Sequence, residues 1–346
     1  MATDTLISSS LNPRTWLYPT PRGLYCAPGD FYVDPAVAVP RAVITHGHGD
    51  HARPGHRTVL ATPETLAIMR LRFQDMPDTG QQALKYGETV RIGEVEVSLV
   101  PAGHILGSAQ VVLEHRGQRI VVSGDFKRRP DPTCPPFEPV PCDVFVTEAT
   151  FALPVFHHPS ASGEIGKLLR SLHTFPERTH LVGVYALGKC QRVIKLLRSA
   201  GYAKRIWLHG GLSSLCALYQ RQGIELGDIA LVSEAVLETF KGAIVLCPPS
   251  ALTDRWSRRF FDPIPAMASG WMSVRARARQ RGAELPLIIS DHADWSELKQ
   301  TLADVGAPRV WVTHGREEAL VHYARSIGIE AEALHLAGRE EEEDES

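Results

Sequence analysis

Long apolar runs are missing from this chain. No stretch of 18 consecutive apolar residues occurs, which argues against a transmembrane helix. The segment from Met1 to Pro13 is polar and lacks the apolar core of a secretory signal, so the expected location is the cytoplasm. Cysteine pairs at short spacing are missing too. Cys26, Cys134, Cys142, Cys190, Cys216 and Cys247 show no C-x-x-C pattern, and they read as reduced, mostly buried thiols rather than metal ligands or a disulfide framework. No internal repeat is found, which excludes a solenoid or an array. A strong net charge is also absent: the balance is −2, so bulk charge announces no nucleic-acid partner.

Charge is nevertheless concentrated at one place. Glu340 to Glu345 is a run of six acids, and without residues 340–346 the remainder carries +4. Residues 339–346 are therefore expected to form a disordered, solvated tail. The length of 346 residues, 44% of them hydrophobic, fits two domains or one domain with a large insertion.

What the chain does have is His46-Gly47-His48-Gly49-Asp50-His51. Four metal-ligand side chains fall within six residues, directly after the apolar run Ala42-Val43-Ile44-Thr45. That run reads as a buried strand and the glycines as the loop leaving it. Three imidazoles and a carboxylate this close repel when charged and waste polar groups when buried. A transition metal removes both problems, and imidazole nitrogen with carboxylate oxygen suits zinc, manganese or iron. Four ligands in so short a loop point to two adjacent ions. With 15 His and 16 Asp in the chain, the pattern H-x-H-x-D-H arises by chance on the order of once in a thousand such sequences.

Further candidates sit where apolar strands stop. Tyr32-Val33-Asp34-Pro35 precedes the metal loop, and Asp34 reads either as a turn acid or as a carboxylate that orients a ligand His. Thr62-Pro63-Glu64 opens a helix with a cap and a proline at its first position. Glu94 to Leu99 alternates as a strand and leads to His104. Val111 to Glu114 and Arg119 to Val122 flank Gly117 as a hairpin whose second arm leads to Asp125. Val144 to Thr147 ends at Glu148. A lone His or Asp at a strand end is usually a turn residue, but three in series after the loop point to one shared site.

From about residue 160 helices alternate with strands, as in a parallel sheet flanked by helices. The segment Pro154 to Pro159 reads as the junction. Three features here are weighed for phosphate. Ala186-Leu187-Gly188-Lys189 follows a strand and opens a helix, without P-loop spacing. Arg255, Arg258 and Arg259 with Trp256 read as a basic, aromatic helix face. Arg275, Arg277, Arg279 and Arg281 would scatter around a helix. Lys127, two residues after Asp125, and Ser290 complete the candidate phosphate contacts with Gly188 and Lys189. The last part returns to ligands at strand ends. Leu287 to Ser290 runs into Asp291-His292-Ala293-Asp294, where Asp294 and Glu297 fit a helix capping box and His292 has no such excuse. Val310 to Thr313 runs into His314, so the first domain's sheet is expected to be completed after the insert.

His46, His48, Asp50, His51, His104 and Asp125 together resemble the metallo-β-lactamase superfamily. Glu148, His292 and His314, placed around an insert of roughly 125 residues, look like motifs A, B and C of its β-CASP nucleases. Gly183 to Lys189, Pro248 to Ala251, Ser269 to Met272 and Ser290 to Trp295 look most like the bacterial ligase-associated DNA exonuclease branch. The resemblance implies an α/β fold, an αββα sandwich with an inserted β-CASP domain. The expected division is 1–158 and 285–338 for the sandwich, 159–284 for the insert and 339–346 for the tail. It implies two divalent ions, Zn2+ or else Mn2+. His46, His48 and His104 would hold one; Asp50, His51 and His314 would hold the other; Asp125 would bridge. The expected catalytic residues are Asp50, Glu148 and His292.

The implied activity is exonucleolytic hydrolysis of DNA in repair or end processing, with a hydroxide shared by the two ions attacking phosphorus. His292 would protonate the leaving oxygen and Glu148 would orient it. The implied partner is nucleic acid, DNA favoured over RNA, with no membrane and a functional link to an ATP-dependent DNA ligase and helicase. One residue departs from this pattern. Motif C is usually valine in the eukaryotic DNA-directed members and histidine in the RNA-directed ones, and here it is His314. A ribonuclease of the same fold, exo or endo, is the alternative. A lactamase or thioesterase needs no second domain to clamp a polymer, and a non-catalytic scaffold would not keep every ligand.

Overall fold

The computed structural model describes residues 11–73, 76 and 80–336; the acidic tail expected over 339–346 lies outside them. Among the described residues no helix is long and apolar enough to cross a membrane.

The N-terminal stretch builds a six-stranded sheet from β1 (Leu17–Thr20), β2 (Gly23–Cys26), β3 (Phe31–Val33), β4 (Arg41–Val43), β5 (Thr58–Ala61) and β6 (Gln81–Ala83), in chain order. Helix α1 (Pro63–Arg72) follows β5; Thr62 caps it by accepting from the Thr65 amide, with Pro63 at the first position, as its sequence requires. A second sheet begins with β7 (Thr89–Ile92), β8 (Val95–Pro101), β9 (Ala109–His115), β10 (Gln118–Val122) and β11 (Val144–Ala149). The β9–β10 turn places Arg116 and Gly117 both at positive φ, 48° and 77°, which matches the twist of a two-residue hairpin.

Between β11 and the end of that sheet lies a third sheet, wholly parallel: β12 (His180–Gly183), β13 (Ile206–Leu208), β14 (Ile229–Leu231), β15 (Ile244–Cys247), β16 (Ile264–Ala268) and β17 (Leu285–Leu287), in the order β14-β13-β15-β12-β16-β17. Helices α2 (Ala161–Thr174), α3 (Lys189–Ser199) and α4 (Ser213–Arg221) accompany it, with the short α5 (Arg275–Gln280). The chain then returns through α6 (Trp295–Val305) to β18 (Arg309–Gly315), α7 (Glu317–Ser326) and β19 (Glu330–Ala333). β18 pairs in parallel with β11, so the second sheet is completed from the far side of the insert, as the sequence implied.

Side-chain alternation explains the layering. The inward residues of the first sheet (Leu24, Val33, Val43) pack against those of the second (Val97, Leu113, Val122, Val146, Trp311) as one core. The outer face of the first sheet is covered by Leu66 and Met69 of α1. The outer face of the second is covered by Leu298 and Leu302 of α6 and Leu320 and Val321 of α7. These four layers are the expected αββα sandwich. The insert meets the sandwich through an apolar seam in which Ile68, Ile105 and Leu106 face Leu187, Leu215 and Tyr219.

Two expectations are corrected. Leu285–Leu287 pairs with β16, so the insert's sheet runs past the boundary expected at 284. His292 therefore follows a strand of the insert, not of the sandwich, and does so by a loop of several residues. The set Arg255, Trp256, Arg258 and Arg259 does not form an extended helix face: Ser257–Arg259 is one 3-10 turn, in which the Arg259 guanidinium lies 5.3 Å from the Trp256 ring centre.

Candidate metal centre

Four chain segments deliver the candidate ligands to one rim of the sandwich. The loop after β4 carries His46, His48, Asp50 and His51; the loop after β8 carries His104; the loop after β10 carries Asp125; β18 carries His314. Glu148 on β11 and His292 on the loop after β17 stand beside them. Strand ends serve this purpose because rigid backbone fixes the direction of each side chain. His314 sits at φ 67°, a left-handed conformation that a β-carbon makes costly by roughly 1–2 kcal/mol. Such strain persists only where the surroundings impose it.

Donor atoms from His46, His48, His104 and Asp125 lie within 4.8 Å of one another, and so do those of Asp50, Asp125 and His314. Asp125 belongs to both sets. Its Oδ2 stands 3.4 Å from His46 Nε2, 3.3 Å from His51 Nε2 and 3.9 Å from His104 Nε2. His51 Nε2 is also 3.2 Å from Asp50 Oδ2, and His48 Nδ1 is 3.0 Å from His104 Nε2. Two ligands on a tetrahedral zinc, each about 2.0–2.1 Å from it, stand about 3.4 Å apart. The separations here scatter around that value.

The buried atoms test whether a metal fits. Among the described residues His46 Nε2, both oxygens of Asp50 and of Asp125, and His314 Nδ1 are buried without a hydrogen-bond partner. Orphaned polar atoms are costly one at a time, and a group of them converging on one point is what an ion satisfies. Protonation states agree. Burial first, then the neighbouring His51, holds the His46 imidazole well below its ordinary value, so it is neutral and can donate a lone pair. Burial alone would raise Asp125, but the charge of the neighbouring His51 outweighs it and holds the carboxyl well below the usual carboxylate range. Asp50 follows the same balance, with burial opposed by His51. This buried His/Asp cluster can hold metal ions.

The imidazoles of His46, His48, His51 and His104 are also fixed from behind, as metal ligands require. Asp34, expected either as a turn acid or as an orienter, does both. It has φ 43°, and its carboxylate accepts from the Thr45 amide (2.8 Å), the Thr45 hydroxyl (2.6 Å) and His51 Nδ1 (2.8 Å). His46 Nδ1 lies 3.0 Å from Thr45 Oγ1. His104 Nδ1 donates to the Asp291 carbonyl at 2.8 Å, and His48 Nε2 to that of Leu187 at 3.3 Å.

Glu148 and His292 form a hydrogen-bonded pair whose donor atoms lie within 4.8 Å of those of Asp125. His292 Nδ1 lies 2.9 Å and 3.1 Å from the two Glu148 oxygens, which also accept from the Phe126 amide (2.7 Å) and the Thr150 hydroxyl (2.6 Å). Nδ1 is thereby committed to Glu148. The His292 and His104 rings are 4.8 Å apart. A cleft of about 430 Å³ adjoins the cluster, lined among others by His48, Phe151, Tyr185, Trp271 and His292.

The residues expected to hold phosphate behave otherwise. Lys127 is buried, with its ammonium on Asp131 (2.7 Å) and the His104 carbonyl. Lys189 is buried on Asp291 (2.8 Å) and the Ile289 carbonyl (2.6 Å). The Gly188 amide is taken by Gln191 at 2.9 Å, and the Ser290 hydroxyl joins the amide and carbonyl of His292, both at 3.0 Å. Each of these groups thus has a partner within the protein, while Lys189 and Ser290 also line the cleft beside the cluster. Sequence reasoning gave no role to Thr45, Thr150, Asp131 or Arg192. Thr45 adjoins the motif and could have been found there; Arg192 has no local signal.

No family model matches the chain. It is 28% identical over 321 residues to a "probable DNA ligase" of Opitutus terrae, covering 90% of this chain and 30% of that one. It is 24% identical to a ribonuclease of Thermus thermophilus, covering 86% of each. It is 32% identical to cleavage and polyadenylation specificity factor subunit 3 of Dictyostelium discoideum, covering 74% of this chain and 39% of the relative. The chain thus spans about a third of the first and third of these, and most of the second. Among solved structures, a protein of unknown function from Enterococcus faecalis shares the fold, with TM-score 0.54 and 14% identity over 79% of this chain and 74% of that one.

Proposed function

Because the chain belongs to the β-CASP nuclease family of the metallo-β-lactamase superfamily, we propose that it is a metal-dependent exonuclease that hydrolyses phosphodiester bonds of DNA. The observation that carries the nuclease reading is the pairing of a buried two-part ligand cluster with a hydrogen-bonded Glu148–His292 couple at the same cleft. The partial match to a relative named as a DNA ligase supports DNA and a ligase-linked repair role.

In this reading His46, His48, His104 and Asp125 hold one divalent ion, and Asp50, His51, His314 and Asp125 the other; zinc suits the donors best and manganese is next. Such ions supply activated water at neutral pH and neutralise charge on the non-bridging phosphate oxygens. Asp34 and Thr45 keep His51 and His46 facing inward. His292, held in place by its bond to Glu148, delivers a proton to the leaving oxygen. Phe151 and Trp271, ring centres 4.7 Å apart, form an apolar wall beside it that excludes water.

A second reading has its own observation. His314 completes the second ligand set where the resemblance leads one to expect valine in the eukaryotic DNA-directed members, and two of the similar proteins are by name a ribonuclease and a cleavage and polyadenylation specificity factor subunit. Digestion of matched single-stranded DNA and RNA, labelled at the 5′ or the 3′ end, with Zn2+ or Mn2+ decides between them. The proposal expects stepwise release of mononucleotides from DNA. Preferential cleavage of RNA would replace it with the ribonuclease, and internal cuts would replace exo with endo.

A further inference from the structure

Beside the metal centre five charged side chains are buried together: Lys127 and Asp131 from the sandwich, Lys189 and Arg192 from α3, and Asp291 from the loop after β17. Asp131 receives Lys127 at 2.7 Å and Arg192 Nε at 3.4 Å; Asp291 receives Lys189 and Arg192 at 2.8 Å each. Three cations face two anions. Buried ion pairs bring little net stability, since desolvation offsets their attraction. Their remaining donors point to a different use.

Those donors end on main-chain carbonyls around the site. Lys189 donates to Ile289, Arg192 to Ser290 and Lys127 to His104. The grip on residues 289–291 fixes the Asp291 carbonyl, which accepts from His104 Nδ1. A carbonyl can only accept, so His104 must carry its proton on Nδ1 and present Nε2 to the ligand cluster. His48 is held likewise by the Leu187 carbonyl, two residues before α3. The ligand sets therefore differ in what stands behind them. His48 and His104 lean on the insert and its exit loop; His46 and His51 lean on Thr45 and Asp34, within the sandwich.

We propose that Lys189 and Arg192 are positioning residues of the metal centre, which hold the Asp291 carbonyl against His104 and so couple occupancy of the His46/His48/His104/Asp125 set to the seating of α3 on the sandwich. This rests on the metal-centre reading but not on the choice of substrate. The coupling is reciprocal: an ion on that set tightens the junction between sandwich and insert, and a loosened junction weakens that ion alone.

The test uses the full chain, stripped with a chelator and titrated with Zn2+ against a chromophoric competitor, for wild type, Lys189→Met, Arg192→Met, Arg192→Lys and Asp291→Asn. Wild type is expected to take up two ions. Lys189→Met and Arg192→Met should hold one ion as wild type does and bind the other about 10–100-fold more weakly, the usual effect of losing an outer partner of a ligand. Arg192→Lys should recover part of that loss. If Arg192→Met does not fold, Arg192→Lys and Asp291→Asn carry the same comparison. Wild-type affinity for both ions in a folded variant would overturn the inference. So would equal weakening of both ions with a lower melting temperature of the metal-free protein, since that is plain destabilisation. Failure of wild type to bind zinc would remove the metal centre itself.

Discussion

Asp125 is the side chain at which the two ligand sets meet, with one carboxylate oxygen 3.3–3.9 Å from three imidazoles. Removing it leaves each set short of a ligand and exposes the imidazoles to one another. Asp125→Ala is expected to lose both ions, read by elemental analysis after gel filtration; retention of two would assign the bridge to another residue. His292 differs because Glu148 and Thr150 lie behind it. His292→Ala should keep both ions and lose roughly 10²–10⁴ in turnover, the usual worth of a positioned proton donor. Parallel loss of metal and activity would make it a ligand. Both residues were picked out in the chain because they follow apolar strands; the contrast between their roles came from the family resemblance. The contrast between Lys127 and a phosphate-binding lysine was not legible in the chain. A lysine two residues from a ligand reads the same whether it faces solvent or, as here, Asp131.

Among elements, the loop after β10 shows how closely backbone and ligands are fitted. Gly124 has φ 56°, and a β-carbon there would stand 2.7 Å from Thr45 Cβ and 2.8 Å from its hydroxyl. Thr45 braces Asp34, His46 and, through Asp34, His51. Gly124→Ala should therefore destabilise the metal-free protein by roughly 2–4 kcal/mol, from the left-handed backbone and the overpacking together, as read by urea unfolding. Zinc affinity should fall with it. An unchanged midpoint would show that Thr45 can move aside at no cost. The elements themselves follow their local patterns. Val95, Val97 and Leu99 alternate inward on β8, and Thr62-Pro63 starts α1 where capping demands. The arginine-rich segment at 255–259 departs from its expected helix, for Trp256 packs against His209 and Phe260 and the chain bends around it.

For the whole molecule, a buried histidine at the junction between sandwich and insert contributes to the acid sensitivity. His158, near the start of the insert, is buried against Phe151, with ring centres 4.6 Å apart, and burial lowers its imidazole to about 3. An unfolded histidine titrates near 6.5, so between those values the unfolded chain binds the extra proton. Stability from this group is complete above about pH 6.5 and is lost as pH falls towards 3, at up to about 1.4 kcal/mol per pH unit. His158→Gln should make the melting temperature less dependent on pH across that window. An unaltered slope would place the acid sensitivity elsewhere.

Which side chains could bind metal, and that the sheet of the first unit closes after the insert, could be read along the chain. Those features are local: ligand spacing in one loop, and an apolar strand running into a histidine. Which charges face a substrate and which are spent inside was decided only by the packing of α3 against the sandwich. It brings Lys189 and Arg192 to Asp291, about a hundred residues away, and turns apparent anion binders into the support behind His104. Periodicity reports the face on which a residue lies; it carries no information about the partner that a distant segment will bring to that face.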